Sequence, residues 1–161
     1  DSDHIIFLYS IHGFNAPRTV KRYINNFPKG LSPNISLISV GCADMWMNSA
    51  ANSTLKNSLE GKGYFIKQDK QLAMPLTLVT AFPADYSKSM IKVSEDKIDE
   101  IVSNLNIQDL QTPSKRAKII NYIGRLEDPA SRLFGLELKA NRNCTSCGLC
   151  VKRCPESNIT F

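Results

Sequence analysis

The sequence has no long apolar run and no loop rich in glycine or in serine and threonine that would cradle a phosphate. No apolar stretch approaches the roughly 18 residues that cross a bilayer, so a membrane-spanning protein is not predicted. The first apolar run, Ile5 to Tyr9, is too short for the core of a signal peptide. A nucleotide-binding site would need a phosphate loop, so the composition argues against one. There is also no internal repeat and no low-complexity tract.

What the sequence does contain is a run of cysteines near its end. Four cysteines fall within eleven residues, and a proline follows them directly: Cys144, Cys147, Cys150, Cys154 and Pro155. This is the spacing with which bacterial ferredoxin-type proteins hold [4Fe–4S] clusters. In two-cluster proteins the fourth cysteine of such a run binds the other cluster, so this run predicts three ligands of one cluster and one of a second. The small residues between the cysteines would let backbone N–H groups approach the cluster sulfides.

Other uses of the cysteines fit less well. Structural zinc usually takes two ligand pairs separated by a longer loop, and these four cysteines are too crowded for that arrangement. A disulfide framework is typical of small secreted proteins, a class that nothing else here indicates. The fifth cysteine, Cys42, follows an apolar run and is predicted to be a small buried residue. An oxygen-sensitive cluster predicts a cytoplasmic location.

The net charge of +5 is unevenly distributed. Residues 1–111 carry 11 Lys/Arg and 11 Asp/Glu, whereas residues 112–161 carry 9 basic residues against 4 acidic ones. Lys152 and Arg153 would offset the negative charge of a thiolate-bound cluster. Basic patches also steer acidic partners and bind nucleic acids. A solvated helix face is the plainer interpretation of the basic residues after position 112, so nucleic-acid binding is not expected.

The chain before the cysteines alternates short apolar runs with amphipathic stretches, a pattern that predicts βα units on a parallel sheet. Strands are predicted at Ile5–Tyr9 and Ile35–Val40, with shorter pieces at Tyr64–Ile66 and Leu76–Val79 separated by a polar stretch. Apolar residues at helical spacing predict two helices, one with Val20, Tyr23, Ile24 and Phe27 and one with Ala51, Leu55 and Leu59.

Two more helices are predicted further along. Ser94 is expected to cap the first, with Glu95 and Asp96 in its first turn and a buried stripe of Ile98, Ile101, Val102 and Leu105. Thr112 and Pro113 open the second, a basic helix with Ile119, Ile120, Ile123 and Leu126 on one side. We therefore predict an α/β domain at residues 1–110, a basic helical connector at 111–140 that packs partly on it, and a cluster-binding segment at 141–161.

Two loops follow successive predicted strands, at residues 10–16 and 41–48. Ligands of open parallel sheets bind at the carboxyl ends of the strands, where such loops lie. Four side chains in these loops could flank a flat aromatic ring: His12, Phe14, Met45 and Trp46. Each alone is typical of surface packing; together they mark a candidate cofactor site.

These features resemble flavodoxin-like/ferredoxin fusion proteins of anaerobic bacteria and archaea. The stretch from Ser10 to Pro17, with Gly13 inside it, looks like the family's first flavin-flanking loop. Gly41 and Cys42 look like the start of the second such loop, and the cysteine run matches the first ferredoxin motif. The resemblance implies a flavodoxin-like parallel sheet with flanking helices, a small bacterial ferredoxin-type segment, and both FMN and [4Fe–4S] clusters, two clusters in an intact protein.

The sequence also departs from that family. Ser10 replaces a family proline, His12 replaces a tyrosine, and the second loop lacks the usual run of glycines. The family's phosphate loop and its second cysteine motif are both missing. We therefore expect an incomplete flavodoxin-like sheet and FMN binding that is weak or absent. The chain is expected to be an internal portion of a longer protein or one that has lost both ends.

The predicted function is electron transfer: a one-electron carrier that couples [4Fe–4S] clusters to a flavodoxin-like module and exchanges electrons with an acidic redox protein. No acid–base or nucleophilic residue is required, so none is assigned. The alternative is a non-catalytic binding or scaffold protein with a degenerate flavodoxin domain and a structural cluster.

Overall fold

The structure is a computed structural model that describes residues 4–29, 33–42, 45–75, 82–126, 129, 130, 133, 135, 139–155 and 157–160. Its elements are β1 (His4–Ser10), α1 (Arg18–Asn26), β2 (Asn34–Gly41), α2 (Met45–Asn48), α3 (Ser53–Glu60), β3 (Phe65–Ala73), α4 (Ala84–Ser103), α5 (Lys115–Gly124) and α6 (Leu149–Arg153). The chain divides into two compact units, Asp1–Asp128 and Pro129–Phe161. No helix among these described ranges is both long and apolar enough to span a membrane.

The three strands form one parallel sheet in the order β1-β2-β3. Ile5 pairs with Ile35, and Leu37 pairs with Asp69, with a register shift in β2 between Ile35 and Ser36. Helices lie between successive strands, as parallel pairing requires. The predicted α/β class with a parallel sheet and flanking helices is confirmed.

One face of the sheet carries the main core. Its fully buried side chains come from β2, α1 and α3: Ile24, Ile35, Leu37, Leu55 and Leu59. Aromatic rings close the edge of this core, with Phe27 lying 5.4 Å from Phe7 and 5.5 Å from Tyr64 between ring centroids. The helices predicted around Ile24 and around Leu55 and Leu59 are therefore confirmed, and their apolar stripes face the sheet.

The polar stretch after Ile66 does not interrupt the sheet, contrary to the prediction. It runs through β3, where Gln68 is buried and its Nε2 donates to the carbonyls of Ile101 at 3.2 Å and Asn104 at 2.8 Å. The buried Gln68 amide is tolerated because carbonyls that are distant in the sequence accept its hydrogen bonds. A local sequence pattern contains no information about those partners. The strand piece predicted at residues 76–79 lies outside the described residues.

The second face of the sheet is covered by α4, whose start was also predicted wrongly. The helix begins at Ala84, so Ser94 lies in its middle rather than at its N-cap. Ser94 is buried and its Oγ donates to the carbonyl of Ala73 at 2.6 Å. The helix faces the sheet through Ser94 and Ile101, two turns apart, which leaves Ile98 and Val102 43% and 58% exposed.

The predicted basic helix forms α5. Ser114 caps it by accepting a hydrogen bond from the Ala117 amide at 3.1 Å. Its buried residues are Ala117 and Asn121, whereas Ile119, Ile123 and Leu126, predicted as an apolar side, are exposed. The first compact unit reaches Asp128 and so includes α5, which the sequence interpretation placed in a connector.

Candidate functional site

The loop after β1 is a tight turn with an unusual backbone. His12 and Asn15 exchange backbone hydrogen bonds, with N to O distances of 2.9 Å in both directions. The two residues between them, Gly13 and Phe14, have φ angles of 51° and 60°. Two successive left-handed residues are typical of a type I′ turn, which suits glycine but not phenylalanine. The fold must therefore hold Phe14 in place.

Two buried asparagines hold this turn against α5. The Nδ2 of Asn121 donates to the Phe14 carbonyl at 2.8 Å, to Asn15 Oδ1 at 2.9 Å and to the Ala50 carbonyl at 3.1 Å. In return, the Nδ2 of Asn15 donates to the Asn121 carbonyl at 2.7 Å. Both side chains are at most 5% exposed. The network joins the loop after β1, the turn before α3, and α5.

A close approach between two glycines completes this contact. A Cβ atom at Gly124 would lie 1.8 Å from the carbonyl oxygen of Gly13 and 3.2 Å from Asn15 Nδ2. No real side chain tolerates the first distance. The last turn of α5 can rest on the loop because Gly124 has no side chain.

Beside this contact lies a cavity of about 370 Å³. It is lined by glycine and apolar residues of the loop, α2 and α5: Gly13, Phe14, Met47, Ile120, Ile123 and Gly124. Of the residues predicted to flank a flavin ring, Gly13 and Phe14 line it. Met47, Ile120 and Ile123 were not predicted as site residues, because an apolar residue at helical spacing is typical of ordinary core packing.

The other predicted loop residues lie elsewhere. Ser10 and His12 are exposed and their side chains contact each other, Oγ to Nε2, at 3.2 Å. Gly41 accepts a backbone hydrogen bond from Met74 at 2.9 Å. Trp46 is 48% exposed, and Cys42 is exposed as well, so the prediction of a buried Cys42 is wrong. Cys42 follows the last residue of β2 and so leaves the sheet before it can pack.

The cavity lining does not fit the polar parts of FMN. None of its six residues carries a polar side chain that could pair with a phosphate or with the heteroatoms of a flavin ring. Its chemistry suits an apolar group. We therefore assign no step to FMN.

A buried chain of polar groups at the sheet was not foreseen from the sequence. The Tyr9 hydroxyl donates to Asn52 Oδ1, and Asn52 Nδ2 donates to Asp69 Oδ1 at 2.6 Å. Burial raises the pKa of the Asp69 carboxyl, while the bond from Asn52 and the charges of Lys56 and Lys70 oppose that rise. Burial and the nearby Asp69 also raise the pKa of Tyr9.

Asp69→Asn is expected to make the protein more stable at neutral pH. The pKa of Asp69 is raised by folding, so its favourable contribution is present below the unfolded pKa and is lost as pH rises through the folded pKa. At neutral pH the folded state thus bears the free-energy cost of either ionising or protonating this buried carboxyl, and the neutral amide avoids that cost while still accepting from Asn52. Urea unfolding from pH 3 to 8 should give the variant a higher free energy of unfolding than the wild type, and this difference should vanish below about pH 4.

Asp96→Asn, on the exposed side of α4, is the matched control and should follow the wild-type curve. An Asp69→Asn protein that is less stable at every pH would show that the carboxylate itself holds the fold.

The second compact unit contains the cysteine run, which has two left-handed residues between its ligands. Ser146 and Gly148 have φ angles of 54° and 69°, and Gly148 precedes α6. These positions turn the chain tightly between Cys144, Cys147 and Cys150. Tight turns of this kind between successive cysteines suit the wrapping of a loop around a compact metal cluster.

Hydrogen bonds lower the pKa of the Cys147 thiol. The backbone amide of Leu149 donates to it, as does the Thr145 side chain, and both lower the pKa of the thiol. Its own backbone amide adds a smaller effect of the same sign. Amide donors that stabilise a thiolate serve a metal ligand equally well, because the thiolate is the form that binds metals.

The four sulfurs are not gathered around one point. Cys144, Cys147 and Cys150 are exposed, while Cys154 is half-buried and its Sγ contacts Asn158 Oδ1 at 2.9 Å. Throughout the described part of the chain, no three His, Cys, Asp or Glu side chains are grouped closely enough to hold a metal ion. The donor set fits an iron–sulfur cluster, and binding would have to draw the thiolates together.

No protein-family model, curated protein or solved structure matches this chain. The function is therefore inferred from the residues and their geometry.

Proposed function

We propose that this protein transfers electrons on a [4Fe–4S] cluster held by Cys144, Cys147 and Cys150. Cys154, by the same spacing, would ligate a second cluster. The observation that carries the proposal is the cysteine run with its tight left-handed turns and a thiol, Cys147, whose pKa is lowered by amide donors. When bound, the cluster supplies reversible one-electron chemistry.

The chain's own residues bind the cluster and moderate its charge. The Leu149 amide and the Thr145 side chain would keep donating to the Cys147 sulfur, which tunes the basicity of the ligand. Lys152 and Arg153 lie in the last turn of α6, close in sequence to all four cysteines. Their exposed cationic groups would offset the negative charge of the cluster and attract an acidic redox partner.

In this proposal the first unit is a flavodoxin-like module. Its parallel sheet with helices on both faces is the architecture expected of such a module. The polar groups that FMN would need are missing from the cavity lining, so electron transfer is assigned to the cysteines alone. An oxygen-sensitive cluster also favours a cytoplasmic location.

The alternative function is a binding or scaffold protein whose cluster is structural. The apolar lining of the cavity favours it, because a degenerate flavodoxin domain that no longer binds its cofactor would keep such a pocket without polar contacts. The two functions differ in whether the cluster changes oxidation state.

Cys147→Ala is expected to lower iron affinity more than about tenfold after anaerobic reconstitution with iron and sulfide, since losing a group that merely orients a metal ligand already costs about that much. The wild-type protein should show broad visible absorbance that dithionite bleaches, with an electron paramagnetic resonance signal on reduction. Cys42→Ala is the matched control, an exposed cysteine outside the run, and should load iron normally.

A colourless protein that takes up zinc instead of iron would contradict the proposal. A brown protein that no reductant bleaches would favour the scaffold function.

A further inference from the structure

The outward side of α5 and its following turn presents an exposed apolar ridge. The ridge consists of Ile119, Tyr122, Ile123 and Leu126, which are 61%, 71%, 59% and 67% exposed. Their spacing of i, i+3, i+4 and i+7 places them on one helix face. A compact apolar surface of this kind on a polar helix marks an interaction site more often than isolated exposed residues do.

The ridge is held in a fixed position, because α5 is tightly packed on the first unit. The opposite face of α5 is fixed to the first unit by buried Ala117 and by the hydrogen bonds of Asn121 to Phe14, Asn15 and Ala50. Gly124 locks the end of the helix against Gly13. The helix therefore cannot rotate to bury the ridge without breaking these contacts.

A positive rim surrounds the ridge. Residues 115–126 contain four basic residues and no acidic one: Lys115, Arg116, Lys118 and Arg125. All four are exposed, and the Arg125 guanidinium lies 5.7 Å from the centre of the Tyr122 ring. Arg116 lies on one flank of the ridge, and Lys118 and Arg125 lie on the other, as their helical positions require.

The ridge continues into the apolar cavity, because Ile123 belongs to both. Phe14 and Met47 also line the cavity. A volume of about 370 Å³ accommodates a large apolar side chain. Interfaces between proteins are often anchored by one such side chain in a pocket, surrounded by a polar rim.

We propose that the ridge and the cavity dock an acidic amphipathic helix of a protein partner, with one large apolar side chain in the cavity and carboxylates facing the rim. This is the helix-in-groove mode of recognition with complementary charge. The proposal is independent of the proposed electron transfer, since α5 carries no cluster ligand.

Other occupants match the surface less well. A second copy of α5 would set four cations against four cations, and residues 129–161 carry 5 Lys/Arg against 2 Asp/Glu, the same sign. Nucleic acid would leave the apolar ridge against phosphates. An anionic bilayer suits a basic amphipathic helix, but its surface offers no single side chain to fill the cavity.

The test uses the full chain and a synthetic helical peptide with leucines at a and d heptad positions and glutamates elsewhere. Fluorescence anisotropy should show binding that weakens as salt rises. The double variant Lys118→Glu/Arg125→Glu should weaken it about tenfold, equivalent to about 1.4 kcal/mol. The ridge variant Ile119→Ser should weaken it similarly.

The matched controls are Lys88→Glu/Lys92→Glu and Val93→Ser, which change exposed residues of α4 and should bind as the wild type does. A peptide with the same leucines but lysines in place of glutamates should not bind. Equal binding of both peptides, or unchanged binding by the α5 variants, would overturn the proposal. Capture by phosphatidylglycerol vesicles without peptide binding would identify the surface as a membrane contact instead. All variants replace exposed side chains, and circular dichroism verifies that each is folded.

Discussion

Gly124→Ala is expected to destabilise the first unit by about 3 kcal/mol or more, the upper range for a side chain forced into a packed interior. The added Cβ would lie 1.8 Å from the Gly13 carbonyl oxygen, a backbone atom that cannot rotate away. Alanine alone would favour a helix by up to about 1 kcal/mol over glycine. The steric effect is larger, so the net change is destabilising and α5 must move off the loop.

Urea unfolding followed by Trp46 fluorescence measures this change, since the single tryptophan lies on α2 in the same unit. The control is Gly61→Ala, whose φ of −64° suits alanine and whose added Cβ would come no closer than 3.2 Å to another atom. It should shift stability by less than about 1 kcal/mol. A Gly124→Ala protein of wild-type stability would show that α5 does not rest on the loop.

Asn121→Ala is expected to destabilise the same unit by about 3 kcal/mol, because each buried polar group left unpaired costs about 1–3 kcal/mol. The two N–H groups of Asn121 Nδ2 are shared among three acceptors, on Phe14, Asn15 and Ala50, and the side chain is only 5% exposed to water that could replace them. Phe14 would also lose the bond that holds its left-handed backbone. The cavity and the α5 ridge should then lose their fixed geometry.

Asn57→Ala, on the exposed side of α3, is the control and should change stability by less than about 0.5 kcal/mol. A double-mutant cycle with Asn15→Ala isolates the Asn15–Asn121 contact, and groups in one network should couple by about 0.5–3 kcal/mol. Additive losses would mean that the two asparagines act separately.

Gly124→Ala and Asn121→Ala also distinguish the proposed electron transfer from the proposed docking of a partner helix. Both act on the surface formed by the loop after β1 and α5, which the docking proposal requires. Neither touches the cysteine run, so iron loading should persist when peptide binding is lost. Loss of both activities in one variant would show that the two compact units depend on each other.

Much of the parallel sheet was predictable because its strands and helices are specified locally. Ile5–Tyr9 is an apolar run that forms β1, although Ile6 and Leu8 are exposed at this edge of the sheet, and Leu55 and Leu59 recur at helical spacing and are buried. Periodicity succeeds in such segments because the buried residues are apolar. It failed for β3, where Gln68 and Asp69 are buried polar residues whose partners lie 33 and 17 positions away in the sequence.

The same limit explains the errors on the helices. Ser94 has the side chain of a typical helix cap, but it is buried inside α4 because the Ala73 carbonyl across the helix–sheet contact accepts its hydroxyl. On α5, four apolar residues suggested a buried side, whereas the face that is actually buried consists of Ala117 and Asn121. Asn121 finds its partners 106 and 107 positions away, and no pattern within one helix contains that information.

The cysteine run was identified from the sequence alone, since its spacing is local and does not depend on how the rest of the chain folds. Its spacing is the basis of the proposed iron–sulfur chemistry. Only the tertiary structure decided that Gly124 meets Gly13, that Asn121 reaches Phe14, and that the cavity is lined by apolar residues from three separate segments. These features depend on contacts between residues more than 100 positions apart, and the free energy of such contacts is fixed by packing and not by local propensity.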